Sequence, residues 1–206
     1  WLTDAQQVVD SINLHIASMD RTSLCQLHQF FLSAQYDQKI REKAPISLGL
    51  LLALDATKCR SAFEVMGDES RKSSRLQSDV VAVLHDLGFS TQEEFVESDS
   101  GYSIDIVLQV DDEGIVGIEV DGPVHFVSGG RTALGKTALK RRHLSLLGHS
   151  IVPVPFWEWD LLEAGLPQKN YLLHLLGKPL IPEPEEEDQE SDGTTGQGSS
   201  ENAVSQ

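Results

Sequence analysis

The chain has 206 residues, 40% of them apolar, and a formal net charge of −16. That is enough apolar content for a real core, while the absence of any run of about 18 apolar residues argues against a membrane-spanning helix. Two cysteines, Cys25 and Cys59, are too few for a disulfide framework or a zinc site and read as reduced, half-buried thiols. The charge is unevenly spread: residues 181–206 hold eight acids and no Lys or Arg, and without them −16 becomes −8. From Gly122 to Trp157 there is no acid, but there are Arg131, Lys136, Lys140, Arg141 and Arg142, with His125, His143 and His149. Binding responds to such patches rather than to totals, so the acidic total does not exclude a polyanionic partner. A solvated helix face remains the alternative. The first residue is Trp, so the chain is expected to be a fragment of a longer protein, any targeting peptide lying upstream.

Residues 1–70 read as helices. Val8, Val9, Ile12, His15 and Ile16 recur at helical spacing with Thr3 or Asp4 able to cap them. Leu24, Leu27, Phe30, Phe31 and Leu32 make a second stripe, its aromatics read as core, and Pro45 interrupts before the apolar run 46–54. Asp68–Arg75 is polar and reads as a linker. Leu76–Leu87 carries Val80, Val81, Val83 and Leu84 and stops at Gly88, a helix ending. A strand is expected at Glu94–Ser98, and two more at Ile104–Val110 and Ile115–Asp121 around the turn formers Asp111 to Gly114. A basic helix at Thr132–Leu147 ends at Gly148. Ile151–Pro155 follows as a strand of parallel type, its prolines pointing to an edge or strand end. A short helix is expected at Tyr171–Leu176. After Pro179 the composition predicts disorder. The layout is α/β: an N-terminal helical segment, a small domain with a mixed sheet, and an acidic tail.

The hairpin carries the chemistry. Residues two apart in a strand share a face, so Glu119 and Asp121 point one way while Ile118 and Val120 point the other. A three-residue loop pairs Val110 with Gly114 and sets Asp105 opposite Glu119; a register shifted by one would turn Asp105 away. Three carboxylates on one sheet face either hold a divalent cation for metal-assisted hydrolysis, or hydrogen-bond backbone N–H groups and the basic helix as a structural network.

Several ordered motifs extend the reading beyond geometry: Tyr102-Ser103-Ile104-Asp105-Ile106, then Ile118-Glu119-Val120-Asp121-Gly122-Pro123 with His125-Phe126, then Leu139-Lys140-Arg141-Arg142. Leu146-Leu147-Gly148-His149, Val152-Pro153-Val154-Pro155 and Trp157-Glu158-Trp159 follow. With these, residues 77 to about 176 resemble a RAP domain, a module of RNA-associated proteins. The resemblance implies a restriction-endonuclease-like α/β fold close to the very-short-patch-repair nucleases, in which Asp105 and Glu119 fall on the metal-binding positions. Where that pattern has a Lys, two residues after the second acid, this chain has Asp121, so catalysis would need Lys136 or Lys140 reaching in from the helix. The division it implies is a helical region at 1–70, the RAP domain with its leading helix at 71–178, and a disordered tail at 179–206. It also implies an RNA-binding protein of mitochondria or chloroplasts acting in processing, stability or translation of transcripts, with possible ribonucleoprotein or ribosomal partners and no membrane.

Residue by residue, His125 reads either as a general base or metal ligand or as a rim histidine, with Gly122 permitting a turn that brings it back toward Glu119. Gly129-Gly130 resembles a phosphate-binding loop only loosely and reads as a hinge. Arg131, Lys136, Lys140, Arg141, Arg142 and Trp157 are the candidates for nucleic acid. The three consecutive cations cannot all face one way, so some pair with acids. Trp157 and Trp159 alternate, so one can pack while the other is exposed to stack on a base. The nuclease alternative uses Asp105, Glu119 and Asp121 with His125 or Lys140 activating water and Mg²⁺ or Mn²⁺ as cofactor. A protein-docking module is the third class.

Overall fold

The computed structural model describes residues 2–43, 56–70, 74–110 and 114–182. The apolar run 46–54, the turn residues 111–113 and the acidic run from 183 on lie outside these. Helices α1 (Leu2–His15), α2 (Arg21–Tyr36), α3 (Gln38–Lys43) and α4 (Ala56–Ser70) come first. Asp20 caps α2 by accepting from Ser23 N–H at 2.7 Å, satisfying an amide that the helix itself leaves free. The polar stretch expected as a linker is helical as far as Ser70; the α4 face carrying Cys59 and Phe63 is buried, and that packing outweighs the weak helix preference of the residues after it.

The α/β part follows: α5 (Arg75–Asp86), β1 (Thr91–Val96), β2 (Ser103–Val110), β3 (Gly114–Asp121), α6 (Gly135–Leu146), β4 (Ser150–Pro155), α7 (Phe156–Trp159) and α8 (Leu166–Leu175). The strands form one mixed sheet in the order β1-β2-β3-β4. The first two pairings are antiparallel and β3 pairs β4 in parallel. Pro153 and Pro155 therefore sit on an edge strand, where a missing N–H costs no interior ladder bond. Three boundaries here shift by three residues or more from expectation. β1 lies at 91–96 and not 94–98, because the Glu97 carboxylate closes a turn by accepting from Asp99 N–H, Ser100 N–H and Ser100 Oγ–H. The basic helix starts at Gly135, because Ala133 is bridged to Phe126 and Leu134 N–H donates to His125 O. α8 starts five residues early, with Pro167 in its first turn, a position that wastes no hydrogen bond.

Both faces of the sheet are covered. Val80, Val81 and Leu84 of α5 and Leu172 of α8 pack with Ile106, Leu108, Ile118, Val120, Val154 and Trp159 on one face. On the other, Leu144 of α6 joins Cys25 and Leu32 of α2 and Phe63 of α4 over Tyr102, Ile104 and Val107. Burying each such side chain stabilises the fold by about 1.5–3 kcal/mol. Gly117 lies beneath this second layer: a Cβ there would meet Ile151 Cδ1 at 2.9 Å and Ile104 Cγ2 at 3.0 Å.

Candidate functional site: an acid cluster beneath a basic helix

The register expected from the turn is the one found: Val110 pairs with Gly114 and Ile106 with Ile118. One step further, where Asp105 would face Glu119, the ladder gives way, and Val120 N–H donates to Asp105 Oδ2 at 2.8 Å. Alternation breaks at the same residue, since Ile104 packs on the α6 face and Ile106 on the α5 face. Opposite it on β1, Glu94 has φ 51, and Gln77 Nε2 faces the carboxylates of Glu93 and Glu94 and the carbonyl of Asp105 at 3.2–3.3 Å. Period-2 reading had no signal for this break, because the side chain of Asp105 takes over the ladder's work.

Glu119 and Asp121 lie on the α6 face, 2% and 0% exposed. Lys140 Nζ donates to Glu119 Oε2 at 2.6 Å, Arg141 donates to Asp121 Oδ2, and His125 Nδ1 lies 2.8 Å from Asp121 Oδ1. His125 thus reaches Asp121 through the short 3₁₀ turn Pro123–His125, and not Glu119 as expected. Arg142 pairs with Asp37, whose other oxygen accepts from Lys39 N–H and Ile40 N–H, so this cation ties α6 to the α2–α3 junction. All three consecutive cations are therefore matched to buried carboxylates. Glu119 Oε1 has no hydrogen-bond partner. Burial, reinforced by Asp105 and Asp121 and opposed by Lys140, pushes the Glu119 carboxyl up to about 7; burial also raises Asp105, against Lys140 and the Val120 amide.

Lys140 does reach the acids, whereas Lys136 stands exposed on the first turn of α6. Even so, the donor set does not fit a resident divalent cation. Hard cations of this kind take six or more oxygens, while here one Glu119 oxygen is held by an ammonium and one Asp105 oxygen by an amide. Among the described residues no group of three or more His, Cys, Asp and Glu is arranged to hold a metal.

Beside the cluster, residues 126–134 form a closed turn and not a hinge. Val127 N–H donates to Thr132 O and Gly130 N–H to Val127 O, both at 2.9 Å, and Gly129 has φ 73, where a side chain is disfavoured. Gly130, Gly135, Lys136 and Thr137 also satisfy the spacing G-x-x-x-x-G-K-[ST], which reading the glycine pair alone passes over. The fold does not use it as a phosphate cradle: Gly130 and Leu134 spend their amides on backbone carbonyls, and Thr137 is buried with its hydroxyl on His125 O. The turn carries Arg131 over the Trp157 ring at 5.7 Å. Trp157 is half-buried, with Phe126 at 4.3 Å and Phe156 at 5.3 Å in edge contact. The two tryptophans, on a helical turn rather than a strand, differ in burial: Trp157 is half-buried and not exposed, while Trp159 is 4% exposed in the core, packed edge-on to Tyr171.

A second set of polar residues carried no signal in the sequence. His143 of α6 is 1% exposed and held by Ser33 Oγ at 2.7 Å and Tyr102 OH at 3.1 Å, and His28 meets Ser100 O at 2.7 Å. Burial, with Arg142 and His28 adding to it, lowers His143 to about 4. This network joins α2 to the sheet.

A mixed sheet flanked on both faces by helices, with paired carboxylates on its third strand locked under a basic crossover helix, defines the class. Residues 118–175 match the family described as RAP domain, and the chain carries a RAP domain. It is 36% identical over 107 residues to the RAP domain-containing protein, chloroplastic, of Oryza sativa subsp. japonica, covering 52% of this chain and 16% of that protein. It is 30% identical over 171 residues to the FAST kinase domain-containing protein 3, mitochondrial, of Rattus norvegicus, covering 75% of this chain and 25% of that protein. A shorter match, 49% over 49 residues, is to the Fas-activated serine/threonine kinase of Mus musculus, 23% of this chain and 9% of that protein. The chain thus spans a quarter or less of these curated relatives, and the two longer matches are to organellar proteins.

Proposed function

We propose that this chain is the RNA-binding part of a mitochondrial or chloroplast protein acting in the processing, stability or translation of organellar transcripts, with the acid cluster serving as scaffold. In this reading residues 1–70 form a helical region, 71–178 the RAP unit and 179–206 a tail. The observation that carries it is the matching of charges around α6. Glu119, Asp121 and Asp37 are each met by a cation, and Asp105 by an amide. Two cations of the acid-free stretch remain on the surface: among the described residues no carboxylate pairs with Arg131 or Lys136. Those two, with Trp157, are the proposed contact surface, and Lys140 and Arg141 act by holding the sheet acids rather than by meeting phosphate. A scissile phosphate would need to reach Glu119 and Asp121, which face α6 and not solvent.

The test is a filter-binding titration of the full chain with single-stranded RNA at several salt concentrations, with Mg²⁺, Mn²⁺ or chelator. Affinity falling with salt at a slope set by the phosphates neutralised, with the RNA intact in every buffer, supports the reading. Metal-dependent cleavage that vanishes in a folded Glu119→Ala protein transfers the function to the endoribonuclease alternative. Failure to bind RNA in any buffer leaves a docking module.

A further inference from the structure

Arg131, Trp157 and the two phenylalanines form something more specific than a basic surface. The indole is fixed by edge contacts from Phe126 and Phe156, so its ring orientation is set before any ligand arrives. The exposed guanidinium of Arg131 sits over the same ring at 5.7 Å from its centroid, within the distance at which a cation is attracted to the π-face. The turn that presents Arg131 is closed by the Val127–Thr132 and Gly130–Val127 bonds and the Phe126–Ala133 bridge, which leaves the arginine side chain as its moving part. In the same stretch of sequence Val124 and Val127 are 73% and 51% exposed, and no acid occurs from Gly122 to Trp157.

We infer that this is a pocket for one unpaired base of single-stranded RNA, the base lying flat on Trp157 beneath the Arg131 guanidinium, with Lys136 meeting a neighbouring phosphate. The inference rests on the RNA-binding reading above and deepens it. Successive stacked planes lie about 3.4 Å apart, so a base between indole and guanidinium needs a separation of roughly 7 Å. The present 5.7 Å is measured from the guanidinium carbon to the ring centroid, so the guanidinium must lift by at least roughly 1 Å, a rotamer adjustment open to an exposed side chain. A duplex keeps its bases stacked on one another and offers no face to the ring, so the pocket selects single strands; purines, with the larger π-face, bind more tightly than uracil.

The experiment titrates the full chain with a 12-nucleotide oligoadenylate, the same length of oligouridylate and an RNA duplex, reading both fluorescence anisotropy and intrinsic tryptophan emission. Expected results are tighter binding of the adenine strand than of the duplex, quenching on binding, and a loss of about 5- to 150-fold in single-strand affinity for Trp157→Leu, the range of one base–aromatic stack. Duplex affinity should change little, Trp157→Phe should recover part of the loss, and quenching should vanish in both variants. Arg131→Ala, at an exposed position, keeps the test open if Trp157→Leu does not fold; it should weaken single-strand binding more than duplex binding. If the wild-type chain binds no RNA, the underlying reading fails. If it binds RNA but Trp157→Phe, Trp157→Leu and Arg131→Ala leave single-strand affinity unchanged, or weaken single strand and duplex equally, the base pocket is overturned while RNA binding stands.

Discussion

Replacing Lys140 by Met strands a buried charge on Glu119, whereas replacing Glu119 by Gln strands no buried charge, and this asymmetry is the sharpest consequence of the cluster. Glu119 is 2% exposed, with one oxygen held only by Lys140 and the other by nothing. The lysine side chain is 20% exposed and can turn its ammonium to water. Removing one partner of a buried pair costs about 3–5 kcal/mol; with the lysine end partly screened, about 2–4 kcal/mol is expected for Lys140→Met at pH 8. Glu119→Gln keeps the shape and an acceptor for Lys140 while deleting a buried charge, so it should leave stability at pH 8 unchanged or raised. The pH dependence has a definite sign. Glu119 titrates at 4.5 when unperturbed and near 7 when folded, so folding takes up a proton between those values and stability falls as pH rises through that window, by about 3 kcal/mol from this group alone. Its contribution is full below pH 4.5 and lost above 7. Glu119→Gln should flatten that descent, and the cost of Lys140→Met should shrink at pH 5, where Glu119 can carry a proton. Urea unfolding at pH 5 and pH 8 followed by tryptophan fluorescence measures all three. A Glu119→Gln protein that loses more than 2 kcal/mol at pH 8 and keeps the wild-type pH slope would show that the pair stabilises the fold outright and that burial does not outweigh it.

The same physics reaches other positions. Adding Mg²⁺ or Mn²⁺ should leave the melting temperature unchanged, where a resident site would contribute about 2.7 kcal/mol at a hundredfold excess over its dissociation constant; a clear rise in differential scanning fluorimetry would restore the metal reading. Tyr102→Phe deprives His143 Nδ1 of its partner and should cost about 1–3 kcal/mol in denaturant titrations. His143 is lowered to about 4 from 6.5, so the stability it contributes is present above pH 6.5 and lost as pH falls toward 4; a His143→Gln protein should lose less stability over that range. Gly117→Val, forced against Ile151 and Ile104, should cost about 1–3 kcal/mol, read from the same unfolding curves. Deleting residues 183–206 removes eight acids and should raise non-specific RNA affinity at low salt, an effect that disappears above the screening concentration.

What the sequence determined by itself were the local and periodic features. The turn formers after Val110 set a register that brings Gly114 opposite it, prolines marked β4 as an edge or a strand end, and Gly88 and Gly148 bounded helices because left-handed stops are read within a few residues. The ordered motifs from Tyr102 to Trp159 were enough to identify the RAP domain. Tertiary structure alone decided which charges meet. Three adjacent cations on one helix point in three directions, and only the packing of α6 across β3 and against α2 assigns Lys140 to Glu119, Arg141 to Asp121 and Arg142 to Asp37. The break at Asp105, the Ser33–His143–Tyr102 network and the placement of Arg131 over Trp157 join residues 15 to 110 positions apart or on separate elements. Periodicity reports the face a residue occupies relative to its own neighbours in sequence; it holds no information on what the chain elsewhere will bring against that face.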